Sequence, residues 1–143
     1  MGNRILMSIK PEFAYAIVDG RKFYEYRRVV PRELLSTAVI YASSPVQRFI
    51  GEFDVDTIVT GSLEDVWSRT RHSGGIMRDY YDQYFAGKTE AHAIHVLRAK
   101  QYRLHVDPND IIPNFRPPQS FSYLTDEVYS RIATIGHSKA TRP

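Results

Sequence analysis

The sequence of 143 residues contains no cysteine. Without a thiol, the chain can form neither disulfides nor thiolate metal sites, and it has no cysteine nucleophile. It also lacks an apolar run long enough for a signal peptide or a membrane span, so we expect no membrane partner. Glycine-rich nucleotide loops, catalytic serine motifs and zinc-ligand spacings are missing too. We therefore expect an intracellular protein without a metal site or a cofactor.

Hydrophobic residues make up 43 % of the chain, which is enough for one domain with its own core. We expect that core at about residues 4–124, followed by a C-terminal helix at about 126–135 and a frayed tail at 138–143. The formal net charge is +3, and the cations concentrate at residues 21–32 and 98–103. Such clusters fit either local contacts with RNA phosphates or solvated faces.

Hydrophobic periodicity and turn residues predict five or six strands with short helices between them. The predicted strands are ILMSI, KFYEYRR, AVIYA, RFIGEFDVDTIV and AHAIHVLRAKQYRLHV, the last as one long strand or as two. The predicted helices are PEFAYAIVDG, SLEDVWSRT, MRDYYDQYFAG and DEVYSRIATI. HSGG is expected to be a flexible loop, and DPNDIIPNFRPPQSFSYL to be irregular. Because helices do not follow every strand, a curved, barrel-like sheet is favoured over a doubly wound parallel one.

Four segments in a fixed order resemble the ASCH-domain family of the PUA-like superfamily: LMSIKPEFAYAIVDGRKFYEYRR, VIYASSPVQRFIGEFDV, YFAGKTEAHAIHV and RPPQSFSYL. The resemblance extends over about residues 5–124. It implies an α+β fold of one domain over residues 1–143, a PUA-like small β-barrel of five to six mostly antiparallel strands with short flanking helices. It also implies a cleft that binds RNA or a nucleotide-like ligand.

The resemblance further implies a cytoplasmic protein in RNA metabolism or in transcription regulation of the coactivator type. A protein–protein adaptor is therefore an alternative function, and a protein partner stays open beside the RNA ligand. We expect the chain to be a monomer or a weak homodimer.

Some members of the family are enzymes, and small bacterial members hydrolyse N4-acetylcytidine with a lysine and a threonine of a GxKxxT strand plus a later glutamate. Here Lys22 matches the lysine, Glu25 stands where the threonine would stand, and no carboxylate lies between His72 and Arg78. The resemblance therefore favours binding over this amidohydrolase activity. If the protein is an enzyme, Lys22 and Glu25 would be its catalytic acid–base pair, with a ribonuclease as a further alternative.

The segment GRKFYEYRR supplies the central candidate site residues. Glu25 and Arg27 share strand parity, so both side chains are expected on one face, with Lys22 at the entry to the strand. Lys22 and Glu25 are expected to form an ion pair, which the resemblance places at the mouth of the cleft. Arg27 suits a planar, bidentate contact with phosphate, or alternatively a cross-strand pair with Glu52 or Asp54.

Two further candidate ligand contacts lie at the ends of predicted strands. Lys10 stands at a helix N-terminus, where it combines with free amides to attract an anion, or is an exposed turn lysine. Ser43 and Ser44 end a central strand and offer hydroxyls and amides to a phosphate or a base edge. The alternative is a turn stabilised by the serine hydroxyls.

The proline-rich segment near the C-terminus offers the last candidates. Gln119, Ser120 and Tyr123 present an amide, a hydroxyl and an aromatic ring, which suit recognition of a base by hydrogen bonding and stacking. In the alternative, Phe121 and Tyr123 plug the end of the barrel. The remaining aromatics, at helical spacings, are expected in the core or in a covering lid; they are Trp67, Tyr80, Tyr81, Tyr84 and Phe85.

Overall fold

The computed structural model describes residues 2–138, in which strands and short helices alternate. The elements are β1 (Asn3–Ile9), α1 (Pro11–Val18), β2 (Tyr24–Arg27), β3 (Leu35–Ala42), β4 (Arg48–Ser62), α2 (Leu63–Thr70), α3 (Arg78–Tyr84), β5 (Glu90–Val106), β6 (Phe121–Leu124) and α4 (Asp126–Gly136). A short 3-10 turn at Pro108–Asp110 follows β5. The tail expected to fray at 138–143 falls outside the described residues, except for residue 138.

All six strands of the described chain form one sheet in the order β2-β5-β4-β3-β1-β6. The pair β1–β3 is parallel, and the other neighbouring pairs are antiparallel. The predicted α+β fold of mostly antiparallel strands with flanking helices is therefore confirmed. The sheet is not closed, because no strand pairing joins β2 to β6 within residues 2–138. The small β-barrel expected from the resemblance is therefore not closed within the described residues.

Capping residues explain where the helices begin and end. Pro11 occupies the first turn of α1, and Gly20 follows that helix with a positive φ of 78°. The Ser62 hydroxyl accepts a hydrogen bond from the amide of Asp65 at the start of α2. The Thr125 hydroxyl accepts one from the amide of Val128 at the start of α4. These starts and stops confirm the helices predicted from the sequence.

The long strands bend where the backbone departs from regular pairing. A Cβ atom on Gly51 would lie 2.3 Å from the carbonyl oxygen of Lys100, so only glycine allows β4 and β5 to approach this closely. The pairing register of β4 with β5 shifts beside Gly51. Arg98 takes a positive φ of 47° within β5. The segment predicted as one or two strands is one bent strand.

The sheet carries buried residues on both faces because β1 and β3 alternate between two cores. Ile5 and Met7 of β1 pack with Ile17 of α1 in the first core. Leu6 of β1 packs with Ile132 of α4 in the second. A third cluster lies under α3 and holds that helix against β2. No helix within the described range is long and apolar enough to cross a membrane.

The segment FSYL forms β6, which corrects the expectation that this region is irregular. β6 pairs antiparallel with β1, with Tyr123 opposite Ile5. Phe121 packs against the first core. The pairing brings the preceding residues, Gln119 and Ser120, beside the end of β1, where the candidate site lies.

Candidate functional site

A cavity of about 510 Å³ opens between β2, the start of α1, α3 and the segment before β6. Seven of the nine predicted site residues line it, and Ser44 and Tyr123 do not. The seven are Lys10, Lys22, Glu25, Arg27, Ser43, Gln119 and Ser120.

A buried ion pair forms part of the cavity wall. Glu25 and Arg27 are only 6 % and 7 % exposed. Nε and Nη2 of Arg27 each lie 3.0 Å from Oε2 of Glu25. Both residues lie on β2 with one residue between them, so strand alternation puts them on the same face, as predicted.

The guanidinium of Arg27 also bridges the gap between the β2 edge of the sheet and the opposite edge, formed by β1 and β6. Its Nη2 donates to the carbonyl oxygen of Ser8 at 2.7 Å. Its Nη1 lies 3.3 Å from the carbonyl oxygen and 3.2 Å from the hydroxyl of Ser120. One side chain on the β2 edge thereby holds the β1 and β6 edge. Arg27 does not pair with Glu52 or Asp54, so that interpretation of the sequence was wrong.

Lys22 is buried beside this pair, at 2 % exposure. Its Nζ donates to the carbonyl oxygen of Gly74 at 2.5 Å and lies 5.2 Å and 5.0 Å from the ring centroids of Phe13 and Tyr26. Burial lowers the pKa of Lys22; the charge of Glu25 opposes this shift, and the charge of Arg27 adds to it. The expected ion pair between Lys22 and Glu25 does not form. The carboxylate of Glu25 is paired with Arg27, and Nζ of Lys22 donates to the carbonyl oxygen of Gly74.

The HSGG loop, expected to be flexible, contacts Lys22 and its neighbour Phe23 through hydrogen bonds. The amide of Phe23 donates to the carbonyl oxygen of Ser73 at 2.8 Å. A Cβ atom on Gly74 would lie 2.0 Å from the hydroxyl of Tyr26, so a side chain cannot fit there. Gly75 has a positive φ of 70° and packs on the Lys22 side chain. The glycines allow the loop to cover Lys22 closely.

Aromatic rings on α3 form a second wall of the cavity. Tyr80 and Tyr84 are one helical turn apart, and their rings stack with centroids 6.4 Å apart. Phe13 of α1 meets Tyr80 edge-on at 5.2 Å. Tyr81 and Phe85, on the other face of the segment, are fully buried in the third core. The aromatic cluster thus splits between the core and the cavity.

Three exposed cations surround the opening. Arg28 donates from Nε to the carbonyl oxygen of Tyr84 at 2.7 Å and lies 4.0 Å above the ring of that tyrosine. Lys10 donates to the hydroxyl of Tyr80 at 3.2 Å, and Lys88 completes the set. We call Lys10, Arg28 and Lys88 the rim cations. Together with Lys22 and Arg27, they face a single carboxylate among the described lining residues. The rim of the cavity is therefore positively charged.

Comparison with known proteins shows the family. The ASCH domain model matches residues 7–100, which is more than half of the chain. This chain belongs to the ASCH domain family. An ASCH domain-containing ribonuclease of Zymomonas mobilis subsp. mobilis is 35 % identical over 133 residues, covering 91 % of this chain and 90 % of that protein.

Solved structures agree with this membership. The crystal structure of ASCH from Zymomonas mobilis matches with a TM-score of 0.88 and 33 % identity, covering 93 % of this chain and 95 % of that one. The N-terminal domain of Staphylothermus marinus McrB matches with a TM-score of 0.60 and 15 % identity, covering 93 % and 94 %. The second likeness shows a shared fold only. The ASCH resemblance inferred from the sequence is confirmed.

Two predicted residues of this ASCH domain lie away from the cavity. Ser44 is exposed in the turn after β3. Tyr123 is half exposed on β6, and its hydroxyl is bonded to Glu33. Conversely, sequence reasoning missed Arg28 and Lys88. Strand alternation places Arg28 opposite Arg27, but β2 ends at Arg27, so alternation does not apply to Arg28.

His92 and His95 have separate local partners. His92 shares a hydrogen bond of 2.8 Å with Thr60, and His95 lies 2.8 Å from a carboxylate oxygen of Asp56. Across residues 2–138, no group of three or more His, Asp or Glu side chains is arranged to hold a metal ion.

Proposed function

We propose that this ASCH protein binds single-stranded RNA and holds one nucleotide in the cavity. The observation that carries the proposal is the combination of rim cations with a wall of stacked tyrosines. Cations attract the phosphates, and aromatic faces stack on an unpaired base, a contact worth about 1–3 kcal/mol. A volume of about 510 Å³ lies within the usual range for small-ligand sites.

The family relationship supports RNA as the ligand. The Zymomonas mobilis relative is named a ribonuclease, and it aligns with almost the whole of this chain. Phosphate contacts would come from the rim cations and not from Arg27, whose guanidinium is already bonded to Glu25, Ser8 and Ser120. Arg27 therefore acts as a positioning residue in this proposal.

The proposal is tested by fluorescence polarisation with labelled single-stranded RNA of about ten nucleotides. Arg28→Ala and Lys88→Ala should each weaken binding and reduce the slope of log affinity against log salt by about 0.7–1. Lys100→Ala is the matched control, because Lys100 is an exposed lysine of β5 that does not line the cavity. Equal losses in all three variants, or no RNA binding by the unaltered protein, would contradict the proposal.

A second candidate function, ribonuclease activity, is favoured by the lowered pKa of the buried Lys22. A neutral lysine amine can take the proton of a ribose 2′-hydroxyl while that oxygen attacks the adjacent phosphorus, forming the 2′,3′-cyclic phosphate, and the bond to the 5′-oxygen breaks as this oxygen takes a proton from water. Glu25 could not take the same role as readily, because its carboxylate is held by Arg27. The lowered pKa keeps more of the lysine in its basic form at a given pH.

Ribonuclease activity is tested by incubating labelled RNA with the protein and resolving the products on a gel. Cleavage should rise with pH through the lowered pKa of Lys22 and should disappear in Lys22→Met. RNA with a 2′-deoxy nucleotide at the cleaved position should stay intact. Cleavage that persists in Lys22→Met would assign the activity to another group or to a contaminant.

We also keep as proposals the single domain over residues 1–143, the monomeric or weakly dimeric state and the cytoplasmic location. The adaptor function has less support than RNA binding. The large exposed hydrophobic side chains within residues 2–138 include Leu34, Met77 and Ile135, which lie just before β3, just before α3 and in α4. Light scattering of the purified protein tests the oligomeric state.

A further inference from the structure

We propose that the nucleotide binds with its base beside Glu25 and its phosphate at the rim of the cavity. We further propose that Glu25 selects bases that carry an exocyclic amino group. This inference rests on the proposed RNA binding and names the ligand class of the same site. It starts from an asymmetry in the carboxylate. Both contacts with Arg27 reach Oε2 of Glu25. Oε1 makes no hydrogen bond with any described residue, although the side chain is 8 % exposed and lines the cavity.

The Glu25 carboxylate cannot turn away from the cavity without breaking its contacts with Arg27, which links β2 to Ser8 and Ser120. Arg27 holds Oε2, and Arg27 is itself fixed by the carbonyl oxygens of Ser8 and Ser120. Glu25 also lies on β2, whose pairing with β5 fixes its backbone opposite Ile94. A rigidly placed acceptor without a partner recognises a donor better than a mobile one, since little freedom is lost on binding.

The distribution of charge orients the ligand. A buried carboxylate repels a phosphate group, whereas the exposed rim cations attract it. The cavity therefore favours the neutral base beside Glu25 and the phosphate at the rim. Tyr80 and Tyr84 line the same cavity and offer ring faces for the base to stack on.

The chemistry of the four bases gives the selectivity. A carboxylate oxygen only accepts hydrogen bonds, and the exocyclic amino groups of cytosine, adenine and guanine are donors. Uracil has one donor, its ring N3–H, and carbonyl oxygens stand on both sides of it. Those oxygens would approach the Glu25 carboxylate and repel it. Cytosine and uracil have rings of the same size, so their comparison isolates the amino group from stacking area.

The test compares binding of oligocytidine and oligouridine, each of about ten nucleotides, at one salt concentration. The unaltered protein should bind oligocytidine about tenfold more tightly. Glu25→Gln should reduce this preference below about threefold, because its neutral amide is a weaker acceptor and can donate to a uracil carbonyl. Glu52→Gln is the matched control, a buried glutamate away from the cavity, and should keep the preference.

The outcomes separate the two proposals. If neither oligonucleotide binds the unaltered protein, RNA binding itself fails. If both bind equally, RNA binding stands and the selectivity of Glu25 is overturned, whether or not Glu25→Gln folds. An unchanged preference in folded Glu25→Gln also overturns it, because a merely structural carboxylate would alter the free energy of unfolding and leave the ratio of affinities unmoved.

Discussion

Two buried glutamates of this ASCH domain lie in contrasting surroundings. Glu52, 4 % exposed, accepts hydrogen bonds from the hydroxyl of Tyr102 at 2.9 Å on Oε1 and of Tyr129 at 2.8 Å on Oε2. Glu25 has one oxygen bonded to Arg27 and the other directed to no protein donor, and it lines a cavity. The first carboxylate is satisfied by the fold, whereas the second is only half satisfied.

The contrast separates a structural carboxylate from a candidate functional one. Burial and the neighbouring Glu52 raise the pKa of Tyr129 to about 12, and that of Tyr102 is raised as well, so both phenols stay protonated donors. They tie β4, β5 and α4 together, and His137 lies 3.7 Å from the same carboxylate. Near Glu25, by contrast, three buried ionisable side chains, Lys22, Glu25 and Arg27, gather beside a cavity, an arrangement that a ligand can complete.

The largest effect is expected from breaking the ion pair at the cavity. Arg27→Met leaves Glu25 buried without its ion-pair partner and removes donors from the carbonyl oxygens of Ser8 and Ser120. The free energy of unfolding should fall by about 3–5 kcal/mol in urea denaturation, since an uncompensated buried charge is costly.

The control for this change is Arg98→Met. Arg98 pairs with Asp54 at 2.7 Å, but its side chain is 72 % exposed. Its loss should cost less than about 1 kcal/mol. Similar losses in the two variants would mean that burial does not distinguish the pairs, and would weaken the contrast drawn between the two regions.

An intermediate effect is expected at the structural carboxylate. Glu52→Gln replaces two hydrogen bonds to a charged acceptor, so thermal unfolding should report a loss of about 2 kcal/mol. RNA affinity should stay within about twofold of the unaltered protein, because Glu52 does not line the cavity. A large loss of RNA affinity in folded Glu52→Gln would remove the functional distinction between the two glutamates.

The smallest effect concerns the pH dependence of stability through Lys22. Because burial lowers its pKa below the ordinary 10.5, the unfolded chain binds a proton that the folded chain lacks between the lowered value and 10.5. Lys22 therefore increases the free energy of unfolding as pH rises through this window. At pH values below the window this increase is absent.

Lys22→Met cannot titrate, so it should lack this gain. The free energy of unfolding of the unaltered protein should increase relative to Lys22→Met as pH rises from the lowered pKa of Lys22 towards its ordinary value of 10.5, as measured by urea denaturation. Lys100→Met, at an exposed position of β5, should show no such divergence. Parallel curves for Lys22→Met and the unaltered protein would show that the lysine titrates as it does in water.

Local sequence signals predicted much of the fold. Pro11, Gly20, Ser62 and Thr125 set helix ends through interactions within a few residues, which a sequence shows directly. β6 was missed because a strand of four residues after a proline pair has little periodicity of its own. Its conformation follows from pairing with β1, a contact between distant parts of the chain.

The sequence predicted which residues line the site better than it predicted their hydrogen-bond partners. Strand parity brought Glu25 and Arg27 together correctly. The partners of Lys22 and Arg27 could not be foreseen, since Gly74 and Ser120 reach them only through the folding of the loop and the curl of the sheet. The cavity role of Lys88 likewise depends on where tertiary packing places the segment after α3.

The most direct test of the account is a titration of the isotopically labelled protein with oligocytidine, followed by amide NMR shifts. We predict that the shifts concentrate at residues around the cavity, including Lys22, Arg27, Gly74 and Tyr84, and leave the amides around Glu52 unmoved. Shifts centred on the Glu52 region, with the cavity residues silent, would contradict the claim that the half-satisfied carboxylate marks the RNA site.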